Sequence, residues 1–167
     1  SLHTGLNIEA KFLPAAENTG IIFKRVDLEG APEIPALATY VSATERGTVL
    51  KKGEAAVSTI EHIMSAFMAH GIDNCIIEIN APEVPILDGS AKYVVEAINN
   101  VGKKEQNAER KYFEVTQEMT FTNGTSTIKL LPAEDFTAEV TIDFGSPILK
   151  KQTASICGFD GYDKEIS

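Results

Sequence analysis

The spacing of apolar residues changes along this chain, and that change constrains the fold more than any other feature. Period-two alternation of apolar and polar residues predicts half-buried strands, most of them in the first and last thirds of the chain. A spacing of three to four residues predicts two amphipathic helices in the middle. The predicted strands are residues 6–12, 21–26, 38–42, 48–50, 74–80, 113–115, 119–121, 127–131 and 138–144, and the predicted helices are about 59–69 and 91–101.

The order strands, helix, strand, helix, strands predicts an α+β fold: a two-layer sandwich of a mostly antiparallel sheet with two helices on one face. Turn residues at 17–20 favour antiparallel pairing of the first two strands. Residues 27–35 contain two prolines and a glycine and are predicted to be a loop. Periodicity is lost after Pro147, so we expect a domain over residues 1–147 and an irregular tail over residues 148–167.

Composition excludes several classes of function. The 15 basic and 24 acidic residues leave a net charge of −9, which argues against a nucleic-acid partner because that affinity depends on clustered Lys and Arg. We expect no membrane span and no secretory signal, since apolar runs are short and no basic segment precedes one. Cys75 and Cys157 lie far apart without a metal-binding companion, which indicates reduced thiols and a cytoplasmic protein.

An acid and an imidazole stand side by side at the start of the first predicted helix, in the run Ser58-Thr59-Ile60-Glu61-His62. One interpretation is a capping box between Ser58 and Glu61, with His62 exposed. The other is a general base, Glu61, beside a metal ligand, His62. His62 points away from the apolar stripe of the helix, so it is not expected in the core. The residues alone leave both interpretations open.

Several motifs, taken together and in this order, resemble the UDP-3-O-acyl-N-acetylglucosamine deacetylases, the zinc amidases of lipid A biosynthesis. They are Leu2-His3-Thr4-Gly5, Asn18-Thr19-Gly20-Ile21, Ser58-Thr59-Ile60-Glu61-His62, Gly71-Ile72-Asp73-Asn74, the segment 82–91 that begins Pro82-Glu83-Val84-Pro85, and Thr141-Ile142-Asp143-Phe144. The motifs span nearly the whole chain, so the resemblance is more specific than any one of them.

The resemblance implies an enzyme of two related α+β halves with the active site between them, and this chain is similar to the first half. It implies that Glu61 is the general base, that His62 is one of three zinc ligands and that His3 lines the substrate cleft. The chain contains only one further histidine, His70, at a predicted helix end. We therefore expect an incomplete zinc site, with the remaining ligands in a second domain toward which the tail leads, and no activity from this chain alone.

The implied substrate is a UDP-linked acylated glucosamine that loses its N-acetyl group, and the implied partner is the second domain of the same chain. In some bacteria of the Bacteroides type such a deacetylase is fused to an acyl-carrier-protein dehydratase, and the parent protein is a candidate for that fusion. The alternative is a non-catalytic α+β binding module, with Glu61 a helix cap and His62 a surface residue. Glu83, between two prolines, is interpreted as either a structural contact or a surface charge.

Overall fold

A computed structural model describes residues 2–124 and 126–167. The chain forms two compact units: one extends up to Ala108 and includes Asp163–Ser167, and the other is Glu109–Tyr162. The first unit contains strands β1 (Ala10–Pro14), β2 (Ile21–Arg25), β3 (Glu33–Pro35), β4 (Val41–Ala43), β5 (Val49–Lys52), β6 (Ala55–Ser58) and β7 (Cys75–Ile79), a 3₁₀ turn (Ala38–Tyr40), and helices α1 (Glu61–Ala69) and α2 (Lys92–Val101). The α+β class is confirmed. No helix in the described residues is both long and apolar enough to cross a membrane.

The main sheet of the first unit has the strand order β1-β7-β2-β3, with β7 pairing antiparallel to β1 and parallel to β2. The expected antiparallel pairing of the first two strands is therefore wrong. The turn before β2 bonds to the start of β7 instead, because the Gly20 N–H donates to Asn74 Oδ1 at 2.9 Å and the Gly20 carbonyl accepts from the Cys75 N–H at 3.1 Å. Strand β7 therefore has a neighbour on each side, and its Ile77 and Ile79 side chains are fully buried.

One cross-strand row forms the centre of the core. Phe12 of β1 and Phe23 of β2 both lie opposite Ile77 of β7, and Ile34 of β3 lies opposite Phe23. Phe23, Ile34 and Ile77 have no exposed surface. The Phe12 ring meets the Phe67 ring of α1 edge to face, with centroids 5.2 Å apart. This row therefore fixes α1 against the sheet.

Both helices turn an apolar stripe toward the core, as their periodicity predicts. The buried side chains are Ile63, Ala66 and Phe67 in α1 and Val94, Val95 and Ile98 in α2. The stripe predicted for α2 was expected to reach Val101 but ends at Ile98, because Val101 is 89% exposed. The last turn precedes Gly102, whose φ of 81° ends the helix.

A smaller antiparallel sheet, β4-β5-β6, leads into α1. Two of the strands, β3 and β6, were not predicted from the sequence. The predicted loop over residues 27–35 is wrong at its end, because residues 33–35 form β3. Pro35 is tolerated in β3 because that strand is at the sheet edge, where a missing N–H removes no ladder hydrogen bond. The expected strand over 6–12 begins only at Ala10, opposite Ile79, where β7 ends.

The second unit contains two hairpins, formed by β8 (Met119–Asn123) with β9 (Ser126–Leu130) and β10 (Thr137–Ile142) with β11 (Gln152–Cys157). Helix α3 (Tyr162–Glu165) begins at Tyr162, which is the last residue of the second unit. Residues 113–115 are not a strand, and the segment expected to be an irregular tail contains β11 and α3. The turn predicted at Asn123-Gly124 lies at the β8–β9 junction, although Thr125 falls outside the described residues. The domain division at residue 147 stays a prediction.

A buried guanidinium links the two sheets of the first unit. Arg25 is 5% exposed, donates to both carboxylate oxygens of Asp27 at 2.8 and 2.7 Å, and donates to the Ala56 carbonyl of β6. The hydrogen bond from Arg25 holds the pKa of Asp27 below its ordinary value. Because the folded-state pKa is lowered, the pair contributes stability above the unfolded pKa and loses it as pH falls through the folded value.

We therefore predict that Asp27→Asn reduces the acid sensitivity of folding. Urea unfolding between pH 6 and pH 2 should show a smaller loss of free energy for this variant than for the wild type, because the variant has no carboxylate to protonate at residue 27. Asp160→Asn, at an exposed aspartate, is the matched control. Equal acid dependence in wild type and Asp27→Asn would contradict the prediction.

Candidate functional site

Glu61 and His62 form the first turn of α1, directly after β6. The capping box predicted between Ser58 and Glu61 is wrong, because the N-cap residue is Ile60 and no side chain caps the helix. Ser58 is instead the last residue of β6, and its N–H and hydroxyl both donate to the Pro82 carbonyl, at 2.9 and 3.1 Å. Pairing with a neighbouring segment therefore occupies the side chain that would otherwise have capped the helix.

The Glu61 carboxylate is held by the loop that precedes β5. Its Oε2 accepts a hydrogen bond from the Thr48 N–H at 3.0 Å. Its Oε1 lies 3.3 Å from the position that a Cβ on Gly47 would occupy. The side chain is otherwise exposed. Glu61 is thus an accessible carboxylate with one oxygen fixed by a backbone donor, which restricts its orientation.

His62 follows Glu61 in the same turn and is half-buried. Its neighbour Ile63, by contrast, is only 2% exposed. The imidazole therefore does not belong to the core, as the helical spacing predicts.

The His3 backbone is anchored by a buried carboxylate. The N–H groups of His3 and Thr4 both donate to Glu83, at 3.1 Å to Oε1 and 3.1 Å to Oε2 respectively. Glu83 has no exposed surface, so the structural-contact interpretation of this residue is correct. The His3 side chain itself is exposed.

His3 and the loop beside Glu61 line one shallow cleft of about 210 Å³. The other lining residues are Glu45, Arg46, Gly47, Val49, Ser58 and Thr59. Glu61 borders this cleft through Gly47, whereas His62 is not among its lining residues. The structure thus brings His3 and Glu61 to one region of the first unit.

The sequence did not assign a role to residues 45–47 or to Thr59. Arg46 has a φ of 60° and Gly47 a φ of 150°, so this loop turns sharply toward the start of α1. The glycine was the available signal, because a Cβ at residue 47 would crowd the Glu61 carboxylate. Its significance depends on a tertiary contact that the linear sequence does not contain.

Two of the three histidines, His3 and His62, belong to this region of the described residues. No group of three or more His, Cys, Asp or Glu side chains that could hold a metal ion lies together in residues 2–124 and 126–167. His70 is at the opposite end of α1, where its ring contacts Asp163 Oδ1 at 2.9 Å and its carbonyl accepts from Lys103 Nζ at 2.8 Å. A catalytic zinc takes three protein ligands, so the donors present fit only part of such a site.

The two cysteines are free. Cys75 is buried in the central strand, and burial raises the pKa of its thiol. A protonated thiol is a poor nucleophile and a poor metal ligand, so Cys75 serves packing.

Comparison with known proteins decides the family. The family model described as UDP-3-O-acyl N-acetylglycosamine deacetylase (LpxC) matches residues 1–167. This chain belongs to that deacetylase family. It is 49% identical over 168 residues to the bifunctional enzyme LpxC/FabZ of Porphyromonas gingivalis, covering 99% of this chain and 36% of that protein. It is 42% identical over 154 residues to the UDP-3-O-acyl-N-acetylglucosamine deacetylase of Pseudomonas entomophila, covering 92% of this chain and 51% of that protein.

The bifunctional LpxC/FabZ enzyme of Bacteroides thetaiotaomicron is a further relative, 43% identical over 168 residues that cover 99% of this chain and 36% of that protein. The chain therefore spans about a third of the length of the bifunctional relatives that it matches and about half of the single-function one.

We predict that Glu83 is a structural anchor of this deacetylase segment. Glu83→Ala should lower the free energy of unfolding by about 2 kcal/mol, because two backbone donors lose their acceptor. The amides of His3 and Thr4 should then exchange hydrogen faster in mass-spectrometric measurements. Glu78→Ala is the control, since Glu78 makes a partly exposed ion pair with Lys24 that should contribute about 1 kcal/mol or less. A Glu83→Ala variant that behaves like this control would refute the anchoring role.

Proposed function

We propose that this chain contributes part of the active site of a zinc-dependent deacetylase. The proposed reaction is hydrolysis of the N-acetyl amide of UDP-3-O-acyl-N-acetylglucosamine, a step of lipid A biosynthesis. The observation that carries the proposal is the tethered, accessible Glu61 carboxylate beside His62, in a chain that belongs to the deacetylase family over its whole length. Two of the similar proteins are named bifunctional LpxC/FabZ enzymes, which supports a parent protein that also contains a dehydratase.

Glu61 is proposed as the general base. A carboxylate accepts a proton efficiently when it is positioned within hydrogen-bond reach of the reacting water. The Thr48 N–H binds Oε2 and leaves Oε1 on the side of Gly47, next to the cleft. That arrangement supports a base with one oxygen used for orientation and the other available to water.

His62 is proposed as a zinc ligand, because imidazole nitrogen is a common donor to this metal. When bound, the zinc would polarise the amide carbonyl and make water more acidic. The chain supplies one proposed ligand, and the shorter span of this chain relative to its relatives supports placing the other ligands elsewhere in the parent protein. His3, whose backbone Glu83 holds at the cleft, is proposed to contact the substrate.

A second domain of the parent protein is proposed to cover an apolar face of the first unit. An open groove of about 540 Å³ on that unit is lined mainly by apolar side chains, including Phe12, Ile63, Leu87 and Tyr93. Leu87 is 54% exposed and Tyr93 is 47% exposed. Exposed apolar groups around one groove favour a covering partner over free solvent.

Glu61→Gln in the full-length parent tests the function. If Glu61 is the base, turnover should fall by about 10²- to 10⁴-fold. The melting temperature should change little, because the Gln amide oxygen still accepts the Thr48 N–H. Glu54→Gln, an exposed glutamate in the turn between β5 and β6, is the matched control and should retain full turnover.

Unchanged turnover in Glu61→Gln would contradict the assignment of Glu61 as the general base. Absence of deacetylase activity in the wild-type parent would instead overturn the proposed reaction and favour the alternative of a non-catalytic α+β binding module.

We also predict that metal binding needs the parent protein. Calorimetric titration of the 167-residue chain with zinc should detect no tight stoichiometric binding, whereas the parent should bind one zinc that is lost in His62→Gln. His70→Gln is the control, because His70 lies at the other end of α1. Tight binding to the isolated chain, or zinc retained by the His62→Gln parent, would contradict the assignment.

A further inference from the structure

Thr59 has a buried hydroxyl without a partner. The residue is 3% exposed, and its Oγ1 makes no hydrogen bond to any residue that the structure describes. Buried side-chain hydroxyls nearly always have a hydrogen-bonding partner, because an unmet one loses its bonds to water without replacement. The Thr59 hydroxyl therefore requires an explanation.

The backbone of Thr59 is also strained. Its φ is 61°, in the left-handed region that β-branched residues rarely adopt. Two contacts hold it there: its N–H donates to the Thr48 carbonyl at 3.0 Å, and the preceding Ser58 pairs with residues 82–84. Strain that neighbouring structure maintains is concentrated at functional sites in proteins. Neither the strain nor the unmet hydroxyl benefits folding.

Thr59 and Glu61 both lie beside Gly47. The position that a Cβ on Gly47 would occupy lies 3.5 Å from Thr59 Oγ1 and 3.3 Å from Glu61 Oε1. Because residue 47 is glycine, no side chain separates the two groups, and Gly47 and Thr59 both line the cleft that contains His3. A hydroxyl donor and a carboxylate acceptor thus lie close together beside Gly47, at the wall of this cleft.

We propose that Thr59 contacts the ligand in the proposed deacetylase site, and that its hydroxyl donates a hydrogen bond to an oxygen atom held beside Glu61. That oxygen belongs either to the reacting water or to a hydroxyl or carbonyl group of the substrate. The proposal rests on the proposed function. It explains why a buried hydroxyl is kept where an apolar side chain would fold equally well.

Thr59→Val in the full-length parent is the test. Valine keeps the size and the β-branch of threonine, so the backbone strain is unchanged and only the hydroxyl is lost. We expect kcat/KM to fall by about 10- to 100-fold, the effect of losing one buried hydrogen bond to a ligand. The melting temperature should stay the same or rise, because an unmet buried hydroxyl is replaced by a methyl group.

The kinetic parameters identify the oxygen. A lower kcat with unchanged KM assigns it to the reacting water, and a higher KM assigns it to the substrate. Thr59→Ser should restore most of the lost activity, since serine keeps the hydroxyl. Thr39→Val, which removes an exposed hydroxyl from the 3₁₀ turn outside the cleft, is the matched control.

Two outcomes would overturn the proposal. Wild-type kcat and KM in Thr59→Val would mean that the hydroxyl does not contact the ligand. Unfolding, or a melting temperature several degrees lower, would mean that the hydroxyl makes a structural hydrogen bond. Either result leaves the proposed function standing if Glu61→Gln still lowers turnover by about 10²- to 10⁴-fold. Failure of the Thr59 proposal is therefore distinguishable from failure of the proposed function.

Discussion

The burial of Ile77 between Phe12 and Phe23 is the interaction on which the first unit depends. It fixes β7 between β1 and β2, with β1 antiparallel and β2 parallel to it. Each such side chain contributes about 1.5–3 kcal/mol when fully removed from water. Because Phe12 also packs on Phe67, the same row determines where α1 lies on the sheet. The position of Glu61 and His62, in the first turn of α1, follows from this packing.

A second constraint determines how the chain enters α1. The extended segment that contains Pro82 and Pro85 cannot form a helix, so its backbone groups are free to pair with Ser58. Its Glu83 binds the backbone of His3 and Thr4. Three segments that are distant in sequence therefore meet at the end of β6. His3 is 80 residues away from Glu83 in the chain, and the hydrogen bond between them brings His3 to the candidate cleft.

Local patterns predicted the elements whose side chains repeat regularly, such as β7 and the buried faces of α1 and α2. They failed where a distant segment competes for the same groups. The first two strands do not pair with each other because β7 lies between them, and Ser58 does not cap α1 because Pro82 accepts from its hydroxyl. The candidate site followed the same rule. Glu61 was visible as a residue type in a motif, whereas its contacts with Gly47 and Thr48 exist only in the folded chain.

Part of the strained backbone of the first unit lies at the candidate cleft and not in the strands that form the core. Two of the residues with unfavourable backbone angles, Arg46 and Thr59, line the cleft that Glu61 borders, whereas the row through Ile77 lies in regular strands. A rigid sheet can maintain such strain because the cost of about 1–3 kcal/mol for each residue is small beside the burial of the core. Relaxing Thr59 would require its N–H to leave the Thr48 carbonyl, and Thr48 also holds Glu61. The same residue thus links the strained backbone to the orientation of the carboxylate, which is why the two features occur together.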